Sequence, residues 1–252
     1  MKPFFAALSF LTILRVPNTW CGDERAIARS LTWFPFVGML IGALMVALDI
    51  LLCTLFPSNL VPSALVVIAM IAISGGLHLD GVADSADAFM SSRGKERMLE
   101  IMKDSRVGPM GSLTITTLLL VKFAALASLP NEWRSGALFL MPLAGRVALV
   151  VKTVSLPYAR SNGGLATLTH SDSKAWQGGL AVILLAVPAL LITGINGLWI
   201  TLSCLTTTYL FGRYCLAKIG GLTGDTLGAA CELVEIIPAL TLLICINQGG
   251  LL

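Results

Sequence analysis

The sequence predicts an all-α, polytopic integral membrane protein, with about seven transmembrane helices and short interfacial helices, folded as one membrane domain over residues 1–252. Three observations carry this reading. Hydrophobic residues make up 56% of the chain and charged residues 12%, and the mean hydropathy of +0.86 exceeds what a water-soluble globule tolerates. The chain divides into repeated apolar runs near the ~20 residues that cross a bilayer core. Lysine and arginine crowd into alternate connections, the pattern of loops retained in the cytoplasm.

Taken in order, Lys2–Leu14 (KPFFAALSFLTIL) is apolar but too short to span. Arg15, Val16 and Pro17 follow it where a cleaved leader would carry small residues, so it reads as an interfacial or re-entrant helix. Asp23–Ser30 is a short amphipathic lead-in. The first span is Leu31–Phe56, with Pro35 early and Gly38 and Gly42 forming a small-residue packing face. The second runs from Leu60 to about Leu79 and delivers a polar stretch at its end. Further spans follow at Ser112–Leu129, Ser135–Ser155, Gly178–Ile195, Leu198 to about Ile219, and Gly228–Ile246. The six cysteines form no CxxC pair and mostly fall in apolar runs, where they read as small packing residues. A net charge of only +3 argues against nucleic acid as a partner.

With seven spans, the N-terminus, the 80–111 loop, the 156–177 loop and the 220–227 turn share one side, which carries nearly all loop lysines and arginines. The opposite loops offer only Arg134. The charge bias therefore sends every polar loop to the cytoplasm.

The polar stretch is Ser74–Gly111, SGGLHLDGVADSADAFMSSRGKERMLEIMKDSRVGPMG. Asp80, Asp84 and Asp87 lie at i, i+4 and i+7, so a helix would stack them on one face. Three like charges in a stripe repel unless a hard cation turns repulsion into coordination. The all-oxygen donor set points to Mg²⁺, with Mn²⁺ as the alternative, rather than zinc. The arginines and lysines that follow suit phosphate groups. The plainer reading is a turn at Asp80 and a solvated helix face; so dense an acidic stripe at the end of an apolar run weighs against it. His78 is read as a hydrogen-bonding anchor at the membrane interface.

Two more features fall on the same side. The 156–177 loop holds Arg160, Asn162, Gly163, Gly164, Thr169, His170 and Asp172, a weak signal in itself. Gly220–Glu235 (GGLTGDTLGAACELVE) places Asp225 in a glycine-rich turn, with Thr226 positioned to cap the following helix. The site is thus expected between the 74–111 loop and the 220–227 turn. Glu232 and Glu235 lie deeper, where Lys122 or Arg146 would neutralise them and fix helix packing. Asp49, inside the first span, has no partner that the sequence names.

HLDGVADSADAF (78–89), ERMLEIMKDSRVGPMG (96–111) and GGLTGDTLGA (220–229) resemble the cobalamin synthases, the adenosylcobinamide-GDP ribazoletransferase family. LSFLTILRVP, FPFVGMLIG and YAR…GL at 158–165 extend the likeness to most of the chain. It departs at Ala88, where the family pattern has glycine, and at Arg15, where it has leucine. The resemblance implies that a ribose hydroxyl of α-ribazole, or of its 5′-phosphate, attacks a phosphorus of adenosylcobinamide-GDP and releases GMP. It assigns Asp80, Asp84 and Asp87 to Mg²⁺ and Asp104 to a further ligand or general base. Arg93, Lys103 and Arg106 become phosphate or nucleotide contacts, Arg160 a further substrate contact, and Asp225 a second-site ligand or base. The bilayer is the one other partner implied, and the sequence leaves a homo-oligomer open.

Three alternatives share parts of the pattern. A CDP-alcohol phosphotransferase wants arginine where this chain has Asp84. A prenyl transferase usually carries adjacent acids. A secondary transporter places ionisable groups at the midplane of two repeated halves, and no internal repeat is found here.

Overall fold

The computed structural model describes residues 2–22, 26, 28–104, 106–159 and 173–247. The described residues are helical with short connections, and their one β-type contact is an isolated bridge between Tyr158 and Leu222. α1 (Lys2–Leu11) and a single turn at Asn18–Cys21 precede a short 3₁₀ segment, Arg29–Trp33, that runs into α2 (Phe34–Leu55). Then come α3 (Leu60–Ser74), α4 (Leu77–Phe89), α5 (Lys95–Ile101), α6 (Pro109–Ser128), α7 (Asn131–Ser155), α8 (Ala175–Thr193), α9 (Asn196–Ile219), α10 (Gly224–Glu235) and α11 (Ile237–Asn247).

Among the described residues, five stretches are long and apolar enough to cross a bilayer: Arg29–Leu55, α6, α7, α8, and Gly224–Asn247, which joins α10 to α11. The bent pair α3–α4 makes six. α9 has the length, 24 residues, without belonging to that set. The expected seven spans thus become five or six strongly apolar ones and a more polar companion. α7 lies at the centre, buried along most of its length against α2, α8, α10 and α11. The Gly38 and Gly42 face of α2 lies directly on it: a Cβ at Gly38 would stand 2.9 Å from the Leu143 Cα, and one at Gly42 3.0 Å from the Phe139 Cα. Leu51, Leu55, Ile68, Leu113, Leu120, Ile183, Leu191 and Leu210 remain exposed, as on a surface solvated by lipid.

Two corrections follow from this packing. The second span does not continue straight into the acidic stretch. α3 stops at Gly75 and Gly76, both left-handed with φ 61° and 73°, where their N–H groups close back on the carbonyls of Ala72 and Ile71 at 3.1 Å. The chain then turns by 90° into α4. Arg134, in turn, is not a loop charge. It is 1% exposed, and its guanidinium grips Asp49 through Nε–Oδ2 (2.8 Å) and Nη2–Oδ1 (2.7 Å), donating also to the Ser63 hydroxyl at 3.0 Å. Asp49 thereby gains a partner that sequence spacing hid, and α2, α3 and α7 are tied together at one end of the bundle. Asn59 and Asn131 meet at that same end, at 2.8 Å. The polar connections gather at the other.

Candidate active site

α4 is an amphipathic helix laid across the polar end. Leu79, Val82, Ala83, Ala86 and Phe89 are buried beneath it; Asp80 is exposed, and Asp84 and Asp87 are half-buried. The i, i+4, i+7 stripe is therefore helical, as its spacing predicts.

The turn at 220–227 comes to this helix through glycine. A Cβ on Gly81 would fall 3.1 Å from the Asp225 Cα and closer still to its carbonyl oxygen. One on Gly228 would fall 3.2 Å from both the Cα and the carbonyl oxygen of His78. α4 and α10 thus cross backbone to backbone, and Asp225, half-buried in the first turn of α10, is brought beside the residues flanking Gly81. Thr223, not Thr226, is the N-cap: its hydroxyl accepts the Thr226 N–H at 3.2 Å. The Thr226 hydroxyl reciprocates by accepting the Thr223 N–H at 2.9 Å, closing a capping box. The start of the 156–177 loop joins this turn, with the Ala159 N–H donating to the Leu222 carbonyl at 2.7 Å. Arg160 and the rest of that loop as far as 172 lie outside the described residues.

Asp87 faces the start of α6. Its Oδ2 accepts the Gly108 N–H at 2.6 Å and its Oδ1 the Gly111 N–H at 2.9 Å. These donors belong to a helix N-terminus with no partners of its own there, and the helix dipole favours a carboxylate at that point. Asp87 also borders a cleft of about 180 Å³ with Arg97, Glu100, Ile101, Asp104, Arg106 and Gly108. In it Arg106 chelates Asp104, through Nε to Oδ1 (3.0 Å) and Nη2 to Oδ2 (2.6 Å). The Arg106 hydrogen bonds hold the Asp104 carboxyl well below the usual range, at about 2. Exposed as it is, the pair adds little stability; what it adds is present above the ordinary carboxylate value and is lost as pH falls towards that lower one. Arg93 and Lys103 are exposed and do not line the cleft. Arg97 does, a residue its position had not singled out; it pairs with Glu100 at 2.7 Å on the exposed side of α5.

Beneath α4 and α10 lies a neutralised cluster. The Lys122 ammonium contacts Glu232 and Glu235 at 2.8 Å each, and Arg146 pairs with the other oxygen of Glu235. The sequence-based pairing of these four residues holds, with Glu235 as the shared acid. Gly145 makes room, since a Cβ there would meet the Cys231 Sγ at 2.9 Å and Glu235 Oε2 at 3.3 Å. The cluster fastens α10 to α6 and α7, and so fixes Asp225 over the bundle. His78 is buried beside α10 rather than anchored at an interface, and its Nδ1 has no hydrogen-bond partner among the described residues.

Comparison with known proteins bears on this arrangement. The family model described as cobalamin-5-phosphate synthase matches residues 3–243. A Pseudomonas fluorescens protein named adenosylcobinamide-GDP ribazoletransferase is 40% identical over 93% of this chain and 96% of its own. Proteins of the same name from Roseiflexus sp. and Desulforamulus reducens are 39% and 38% identical, over 95% and 91% of this chain and 88% and 91% of theirs. No solved structure matches. The chain, from its acidic helix to its capped Asp225 turn, belongs to the cobalamin-5-phosphate synthase family.

Proposed function

We propose that this protein joins adenosylcobinamide-GDP to α-ribazole, or to α-ribazole 5′-phosphate, to give adenosylcobalamin or its 5′-phosphate with release of GMP. Family membership across residues 3–243 carries the reading, and the α4–α10 contact at the polar end supports it. A ribose hydroxyl oxygen forms a bond to the phosphorus bearing the cobinamide. The bridging P–O bond of the pyrophosphate breaks, GMP leaves with the electron pair, and the hydroxyl proton passes to a carboxylate.

Among the described residues no three acid, histidine or cysteine side chains stand together as a ready-made metal cage. Mg²⁺ needs none when substrate phosphates complete its shell, because one or two carboxylates then suffice. Asp80 and Asp84, hard donors one turn apart with Asp225 across Gly81, fit that mode. Asp80 and Asp84 would hold the ion there, and it would supply positive charge to the pyrophosphate. Asp87 contributes from below, holding α6 against α4. Asp104, held at about 2 by Arg106, is a poor proton acceptor, and that role falls to Asp225. Arg93, Lys103, Arg106 and Arg160 bring cations for the phosphates and guanine nucleotide. The loop charge bias supports a cytoplasmic site in a bacterial inner membrane.

The test is direct. Purified protein in detergent, given adenosylcobinamide-GDP, α-ribazole and Mg²⁺, releases GMP and the completed corrinoid in equal amounts without a membrane potential. Corrinoid transport in vesicles with no GMP released would replace this reading with a transporter.

A further inference from the structure

Among the described residues, Lys152 is a buried cation with no acid beside it. It sits in the last turn of α7 and is 1% exposed, and its Nζ has no hydrogen-bond partner among those residues. The other cations buried in the bundle differ: Lys122 and Arg146 share Glu232 and Glu235, and Arg134 holds Asp49. An ionisable side chain within a membrane segment is costly to bury and marks a function unless something neutralises it. The Phe211 ring, 4.7 Å from Nζ, offsets part of that cost as a cation–π partner. Gly212 keeps the space open, for a Cβ there would stand 3.0 Å from the ammonium.

That ammonium borders a cavity of about 270 Å³ between α7 and α9. Val151, Leu205, Tyr209 and Leu216 give it apolar walls, and Ser155 and Arg213 add polar groups. Tyr209 is 63% exposed and Arg213 is exposed, on an α9 that also leaves Leu202 and Leu210 bare to the surroundings. The cavity is therefore reached from the apolar flank of the bundle. Lys152 lies three residues from the end of α7, about 4.5 Å along the axis at 1.5 Å per residue. A lysine this close to the end of a spanning helix can reach the interface where phospholipid headgroups meet hydrocarbon. That end also carries the basic loops, the side on which anionic lipids attract basic groups.

We propose that the α7–α9 cavity is a specific site for one anionic phospholipid. The lipid phosphate pairs with Lys152 within reach of Ser155 and Arg213, and an acyl chain leaves along Leu205 and Tyr209. The occupant supplies the counter-ion that the described residues lack. It stands apart from the acidic helix and does not depend on the reaction proposed above.

Native mass spectrometry of the full-length protein, delipidated in mild detergent, tests this. Dioleoyl phosphatidylglycerol is titrated in parallel with dioleoyl phosphatidylcholine and with inorganic phosphate. Wild type should retain one phosphatidylglycerol per chain at least tenfold more strongly than phosphatidylcholine, with no adduct of phosphate alone. Lys152→Met should lose that preference, Arg213→Gln should lose a few-fold, and Lys152→Arg should keep most of it. Melting curves separate binding from folding. Lys152→Met should melt no lower than wild type without lipid, because an unpaired buried charge has gone, yet lose the shift that phosphatidylglycerol gives wild type. Equal phosphatidylglycerol retention by Lys152→Met and wild type overturns the proposal. So does equal retention of the two lipids, or saturation by inorganic phosphate; a Lys152→Met protein that unfolds without lipid makes Lys152 a structural residue and overturns it as well.

Discussion

Oδ2 of Asp87 accepts the backbone N–H of Gly108 at 2.6 Å, so the last acid of the stripe on α4 is also the anion at the mouth of α6. Its two oxygens serve two N–H groups, and the side chain that continues the charge pattern of Asp80 and Asp84 does a different job. Asp87→Ala should therefore cost about 0.5–2 kcal/mol of stability, as loss of a helix cap does. Detergent melting temperatures would register the drop, and added Mg²⁺ should not restore the lost rate. An unchanged melting temperature with a rate rescued by metal would give Asp87 the ligand role proposed for Asp80 and Asp84.

Asp80→Asn and Asp84→Asn should behave oppositely. Each is expected to insert and melt like wild type while turnover falls below detection, because a lost ligand removes charge stabilisation needed at the pyrophosphate. EDTA should abolish wild-type activity, and Mg²⁺ or Mn²⁺ should restore it. Near-normal rates in both variants would reduce the stripe to a solvated face.

For Asp225→Asn, the turnover number should fall by roughly 10²–10⁴-fold, the usual worth of a general base. The Mg²⁺ concentration at half-maximal rate should hardly move. A large rise in that concentration, with rate recovered at excess metal, would instead make Asp225 a ligand.

Among the described residues Glu235 bridges two cations and Glu232 pairs with one, so the two acids should not be equivalent. Glu235→Gln strands Arg146 and weakens Lys122, and should cost about 3–5 kcal/mol. Glu232→Gln leaves Lys122 its second carboxylate and should cost less. Pairing Glu232→Gln with Lys122→Met removes a charge of each sign and should destabilise less than Lys122→Met alone. Thermal unfolding of the four proteins in one detergent decides the order, and equal costs for the two glutamines would refute the bridging role.

Much of this was legible in advance because it is local or periodic. The stripe on α4 follows from spacing, and the pairing of Glu232 and Glu235 with Lys122 and Arg146 from the cost of burying charge. What escaped depends on direction and tertiary contact. Arg134 follows Pro130 closely enough to pass for a loop residue, yet α7 begins at Asn131, and the side chain is buried against Asp49. The two glycines after Ser74 permit either a smooth continuation or a sharp turn, and nothing local announces 90°. Gly108 and Gly111 are 21 and 24 residues from Asp87, beyond any periodic pattern. Thr223 and Thr226 both suit a cap, and only the backbone turn chooses between them.

The contact of Gly81 with the Asp225 backbone has a mechanical consequence. Where two helices are held apart by side chains, their separation drifts with every rotamer and substitution in the layer between. Here that layer has no thickness, and main chain rests on main chain. The spacing between the stripe and Asp225 is thus set by the van der Waals contact of two main chains, like a gauge block between two jaws. Single changes elsewhere in the bundle can lower stability while leaving this dimension intact. One added methyl, in Gly81→Ala, must alter it directly, detuning the reaction without removing a single functional group.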